Sequence, residues 1–329
     1  MITTASLILE SKTCLLHALC KVGVHHTALN PPSQGSPVAI MILYCSLFLL
    51  YALIRTCHSF ALPSIKHSLR PRDDKDPADL SWVKDFAAIG DSYAAGIGAG
   101  TVLNGNEGDE KCSRYDAAHS VIMHTSGFGK DPKFTFLACS GDTSKQVLEQ
   151  VKELADDSQD LVTVSAGGND ALLSEVLKAC VFLPGTQENC DAKLADTKKA
   201  IDNDLLSNID DLLQELAPKV RQGGIVVYTL YAQFFNADTD ACSEQTWNWF
   251  EDIVPGTSGI KLSKELRKQL NDLVVEANRK IQGAIAGQSG STRPSNMNIA
   301  IVEWDQAVGE SKGRFCEEGR RSVHRLWPS

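Results

Sequence analysis

The sequence predicts an α/β fold: one sandwich domain from about residue 80 onward, with a parallel sheet and helices on both of its faces. Five short apolar runs rich in Val, Ile and Phe are spaced along the chain, amphipathic stretches lie between them, and the two kinds alternate. Strands that alternate with helices imply right-handed crossovers, and therefore parallel pairing. At 329 residues, 43% apolar and 22% charged, the chain can bury one substantial core.

Taken in order, the predicted strands are "FAAIG", "KFTFLA", "LVTVSA", "IVVYTLYA" and "NIAIVEW". Continuous apolar character of this kind goes with strands covered on both faces. The first helical stripe is Val147, Leu148, Val151 and Leu154, with Thr143 or Ser144 available as N-cap. Leu205, Leu206, Ile209, Leu212, Leu213 and Leu216 make a second stripe. Leu262, Leu266, Leu270, Leu273, Val274, Ala277 and Ile281 make a third. All three are expected to face the core.

The amino end reads differently. Residues 42 to 54, "ILYCSLFLLYALI", form an uncharged apolar run too short to span a bilayer comfortably, and small residues end it at Ala61. Residues 41–61 are therefore expected to be a secretory signal beginning at Met41, with a signal anchor or buried core helix as the alternative, residues 1–40 an extension ahead of the true start or a disordered segment, and 62–80 a polar linker or propeptide. The folded domain is expected over 81–329, truncated at its carboxyl end. Removing Cys14, Cys20, Cys45 and Cys57 with the leader leaves six of the ten cysteines, with no CxxC pair among them. Three disulfides in an oxidising compartment are the simplest account, and six cysteines allow 15 pairings. Pairing in sequence order, Cys112 with Cys139, Cys180 with Cys190 and Cys242 with Cys316, closes local loops and is the expectation here. The net charge of −9 argues against a nucleic-acid partner.

Three unusual loops follow the first three strands: "GDSY", "CSGDTS" and "AGGND". In open parallel sheets ligands sit outside the carboxyl ends of the strands. A dinucleotide fingerprint needs G-x-G-x-x-G in that turn, but Gly96, Gly98 and Gly100 give G-x-G-x-G six residues too late, and no P-loop occurs. The alternative is a serine nucleophile. A hydroxyl attacks a carbonyl only when a base takes its proton and donors stabilise the oxyanion. Ser92 would supply the hydroxyl, and its own N–H, the N–H of Gly141 and the carboxamide of Asn169 would supply three donors. Any one loop alone reads as well as a cap by Asp91 or a turn at Asn169 and Asp170. Three at consecutive strand ends point to a site.

"GDSY", "CSGDTS" and "GGND" resemble the successive blocks of the SGNH hydrolase superfamily, the GDSL esterases and lipases, in their secreted fungal and actinobacterial form. The resemblance runs from about Trp82 to Cys316. It implies a flavodoxin-like three-layer sandwich on a five-stranded parallel sheet, Ser92 as nucleophile, and Ser92, Gly141 and Asn169 as the oxyanion hole. It also implies metal-independent chemistry without a cofactor on esters of lipids, acylated sugars or small alcohols, and three disulfides. Tyr93 stands where the family name has leucine. A monomeric, extracellular protein with no membrane span in its mature chain is expected.

One block of the resemblance is missing. The superfamily's base is a histidine in an Asp-x-x-His block after the last strand, whereas the one histidine downstream of Asn169 is His324, with Arg321 three residues earlier. His324 is the candidate base, and His119 and His124 are expected to be structural. Two function classes stay open: a secreted serine esterase, or the same fold with an incomplete triad that at most binds an ester. The aromatics Phe234, Phe235, Trp247, Trp249 and Phe250 either line an apolar pocket or pack around Cys242, with packing the expectation.

Overall fold

A computed structural model describes residues 79–319 except 106, 129–130, 249–253, 255–256 and 288–296. The expected leader at 41–61, the stretch 1–40, most of the 62–80 linker, Trp249, Phe250 and His324 lie outside the described residues.

From the amino end the elements are β1 (Asp85–Gly90), α1 (Ser92–Ala95), α2 (Glu107–Lys111), α3 (His119–Ser126), β2 (Lys133–Phe136), α4 (Ser144–Lys152) and β3 (Gln159–Ser165). There follow α5 (Leu173–Leu177), which runs on into a wider π-helical turn (Lys178–Phe182), then α6 (Gln187–Asn203), α7 (Leu205–Leu216), β4 (Val220–Thr229), α8 (Lys264–Ile285), β5 (Asn298–Val302) and α9 (Asp305–Glu310). All five strands pair in parallel, in the order β2-β1-β3-β4-β5. The chain leaves β1 to one side for β2 and to the other for β3, so the switch point of the sheet lies at the carboxyl ends of β1 and β3.

The register assigns residues to faces. Ala87 sits beside Val162 and Val162 beside Val226; Ile89 sits beside Val164 and Val164 beside Tyr228. This face is sealed by Val147 and Val151 of α4, Ile209, Leu212 and Leu213 of α7, and Leu270, Val274 and Ile281 of α8, all in one buried cluster. Each such side chain contributes roughly 1.5–3 kcal/mol of transfer free energy. On the other face Phe86 lies 4.9 Å from the Phe134 ring and 5.2 Å from Phe128, in a second cluster with Val83 and Leu161 that Met123 of α3 also joins. The three predicted stripes therefore face the core, and Thr143 takes the N-cap of α4, where Gln146 accepts its amide at 2.9 Å.

One strand departs from the expected cover on both faces. At the edge of the sheet β5 pairs with β4 alone, and its Ile301 and Val302 are each 39% exposed. An edge strand has one neighbour, so its apolar character does not guarantee burial.

Disulfides join Cys112 to Cys139, Cys180 to Cys190 and Cys242 to Cys316. Phe235 and Trp247 are buried, and their rings contact each other and Phe315 at 5.5–5.9 Å beside the third of these. No helix among the described residues is long and apolar enough to cross a membrane.

Candidate active site

The loops singled out in the sequence lie at the carboxyl ends of β1, β2 and β3, and side chains tie them together in pairs. The carboxamide of Gln150, from α4, grips the end of β1: its oxygen accepts from the Gly90 amide at 2.8 Å and its nitrogen donates to the Gly90 carbonyl at 3.0 Å. The same nitrogen donates to Asp142 at 2.7 Å, which couples the first loop to the second. The Cys139 amide also donates to the Gly90 carbonyl, at 2.9 Å. Asp91 then turns the chain. Its amide donates to the Ser165 carbonyl at the end of β3, and its carboxylate accepts from the Tyr93 amide at 3.0 Å. Asp91 is thus the N-cap of α1, and half-buried Ser92 is the first residue of that helix.

The second loop presents Gly141 to solvent with φ +94, a conformation that disfavours any residue with a Cβ. The third loop reaches back to the second: Asn169 Nδ2 donates to the Asp142 carbonyl at 2.8 Å, and its oxygen accepts from Ser174 at 3.3 Å. Asp170 accepts from the Ser144 amide at 2.7 Å, from the Ser144 hydroxyl at 2.5 Å and from Asn208 at 3.1 Å, so it anchors the starts of α4 and α7.

Electrostatically the unusual group is Asp91. It is fully buried, and burial pushes its carboxyl up to about 7 against the pull of hydrogen bonds from Tyr231, Tyr93 and Ala94. The Tyr231 hydroxyl donates to Asp91 at 2.5 Å and accepts from the Gly168 amide at 2.8 Å. Burial also raises the phenol of Tyr93 to about 12 and that of Tyr231 well above its usual range, so both stay protonated. The Tyr93 ring meets Tyr231 edge-on at 5.0 Å and Trp304 at 6.0 Å.

Tyr231 and Gln150 were not among the sequence candidates. Tyr231 sits at the end of an apolar run that looks like plain strand, and Gln150 on an amphipathic helix between two apolar positions. The two described histidines lie on α3. His124 Nε2 lies 3.2 Å from the Pro132 carbonyl and 3.1 Å from Asp131, and its ring stacks on Phe134. His119 Nε2 is buried without a hydrogen-bond partner among the described residues, and burial lowers its pKa. Among the described residues no cluster of His, Cys, Asp and Glu is placed to hold a metal ion.

The profile of the GDSL-like Lipase/Acylhydrolase family matches residues 88–287, more than half of the chain and all three loops. The chain belongs to this family. Among its relatives, Lipase 1 of Streptomyces coelicolor is 29% identical over 154 residues, covering 47% of this chain and 54% of that protein. A lipase of Streptomyces rimosus is 28% identical over 151 residues, covering 46% and 53%. The matched stretch thus spans about half the length of these curated relatives. The solved phospholipase A1 of Streptomyces albidoflavus NA297 superposes with a TM-score of 0.55 at 24% identity, covering 71% of this chain and 84% of that one. The extracellular lipase of S. rimosus superposes with 0.56 at 20% identity, covering 74% and 89%. These superpositions establish that the GDSL chain shares their α/β fold.

Proposed function

We propose that the chain is a secreted carboxylic ester hydrolase that works through an acyl-enzyme on Ser92. The observation that carries this reading is the bracing of three loops at consecutive strand ends, which brings the segments bearing Ser92, Gly141 and Asn169 to one end of the sheet. Family membership and the lipase names of its relatives support the reaction class. In this reading Ser92 Oγ attacks the ester carbonyl while a histidine takes its proton. The negative oxygen receives hydrogen bonds from the Ser92 and Gly141 amides and from Asn169. Asn169 has one amide hydrogen left after its bond to Asp142, and Gly141 is exposed, so both have a donor to offer. The proton passes to the departing alcohol, and water, activated by the same histidine, then releases the acid. Lipid esters are the first substrates to try, since the similar proteins are named lipase and phospholipase A1. Export rests on the 41–61 leader and on the three disulfides.

A second reading is favoured by the engagement of His124 with Asp131 and the Pro132 carbonyl, and by Arg321 where an acid would orient His324. In it the GDSL fold lacks an efficient base and at most binds an ester. Hydrolysis of a short-chain nitrophenyl ester by wild type, Ser92→Ala and His324→Ala separates the two. The esterase reading expects losses of roughly a thousandfold or more in both variants. Equal rates in wild type and Ser92→Ala would remove it, and a loss at Ser92 alone would move the base away from His324.

A further inference from the structure

We infer that Tyr231 is a positioning residue: one phenol holds the loop that carries Ser92 at a set offset from the loop that carries Asn169. The inference rests on the proposed reading of Ser92. Its hydroxyl joins two loops that no other side chain described above joins directly, donating to Asp91 at 2.5 Å and accepting from the Gly168 amide at 2.8 Å. Asp91 and Gly168 are the residues immediately before Ser92 and Asn169, so any slack in the tie is passed to both neighbours.

The tie is itself held rigidly. Asn278 of α8 brackets the Tyr231 backbone, accepting from its amide at 3.1 Å and donating to its carbonyl at 2.8 Å. The ring is fully enclosed, with Tyr93 edge-on against it. On the far side Gly168 leaves room for it: a Cβ there would lie 3.0 Å from both Cε1 and Cζ of Tyr231. The absence of a side chain at this position is therefore explained by the close approach of the phenol. Both Asp91 oxygens are engaged, one by the Tyr93 amide and one by Tyr231, which fixes the carboxylate plane and with it the first turn of α1. A phenol acting this way touches no substrate; it acts through the offset of the groups that do.

Steady-state kinetics and amide hydrogen exchange on the full chain test this with Tyr231→Phe, which keeps the ring and removes the hydroxyl. Tyr228→Phe is the control, because that equally buried phenol donates only to the Ala166 carbonyl, at 2.9 Å. The expected result for Tyr231→Phe is a fall in kcat of roughly tenfold to a hundredfold with KM changed by less than about threefold. Faster exchange at the Gly168 and Tyr93 amides should accompany it, and Tyr228→Phe should show neither change. Gly168→Ala, which crowds the ring without altering the hydroxyl, is the second variant and should lower kcat too. Ser92-dependent turnover in wild type with unchanged kcat in Tyr231→Phe overturns the inference and leaves the proposed function standing. If wild type shows no Ser92-dependent turnover, the proposed function falls and the positioning role falls with it, whatever the exchange at Gly168 and Tyr93.

Discussion

Two parts of the molecule hold irregular backbone in place with a buried charge-bearing side chain, and they do it in opposite ways. In the segment from Asn236 to Ser243, the fully buried guanidinium of Arg267 donates to the carbonyls of Leu262, Asn236 and Thr239 and to the Ser243 hydroxyl. The Cys242–Cys316 bridge and the Phe235–Trp247–Phe315 packing lock the same region. Arginine keeps its charge at any ordinary pH, so this arrangement is static. At the strand ends the buried group is the Asp91 carboxyl, pushed up to about 7, and the loops around it keep the Gly141 amide and one hydrogen of Asn169 free of the bonds described above. The first arrangement commits four of the five guanidinium N–H groups to holding a shape. The second leaves donors over, and its charge responds to pH, two features that suit the proposed site.

Substitutions sharpen this contrast. The largest expected effect is on activity alone: Ser92→Ala should lose roughly a thousandfold or more in ester hydrolysis while its melting temperature stays near that of wild type. A shared loss of stability would mean that Ser92 is only a capped helix residue. Arg267→Met should do the reverse. With several buried carbonyls left unpaired it should cost roughly 3–5 kcal/mol of unfolding free energy, read from denaturant curves. The turnover of the fraction that remains folded should not change.

The Asp91 prediction concerns pH, and its sign follows from the raised value. A carboxyl at about 7 when folded and near 3.8 when unfolded binds its proton more tightly in the native state. Its stabilising contribution is therefore complete below about pH 4 and is lost as pH rises through about 7. Relative to Asp91→Asn, wild type should lose of order 3 kcal/mol between pH 4 and pH 8. Parallel stability-pH curves for the two proteins would show that Asp91 titrates as an ordinary exposed acid.

How much of this was legible in the sequence follows from the range of the interactions involved. The strands, the stripes of α4, α7 and α8, and the three loops are local patterns with a period or a motif, and the sequence displays them. The 17-residue α6 buries only Cys190, Thr197 and Ile201 along its length, so it has no apolar stripe to reveal it. The exposure of β5 depends on its place at the sheet edge, which no run of apolar residues encodes. Asp91 was legible as a cap and is one. Its second oxygen, however, bonds a tyrosine 140 positions away, and Gly90 is gripped by a glutamine 60 positions away. Contacts at such separation exist only once the sheet has brought β1, β3 and β4 side by side.

The central claim, that Ser92 is presented as a nucleophile by this braced set of loops, is tested most directly by covalent labelling. The folded chain is incubated with an alkyl fluorophosphonate and the modified residue located by peptide mass mapping. The account predicts a single phosphonyl adduct on Ser92 that is absent from Ser92→Ala. A folded chain that takes up no label, or an adduct on another serine with Ser92 untouched, would contradict it.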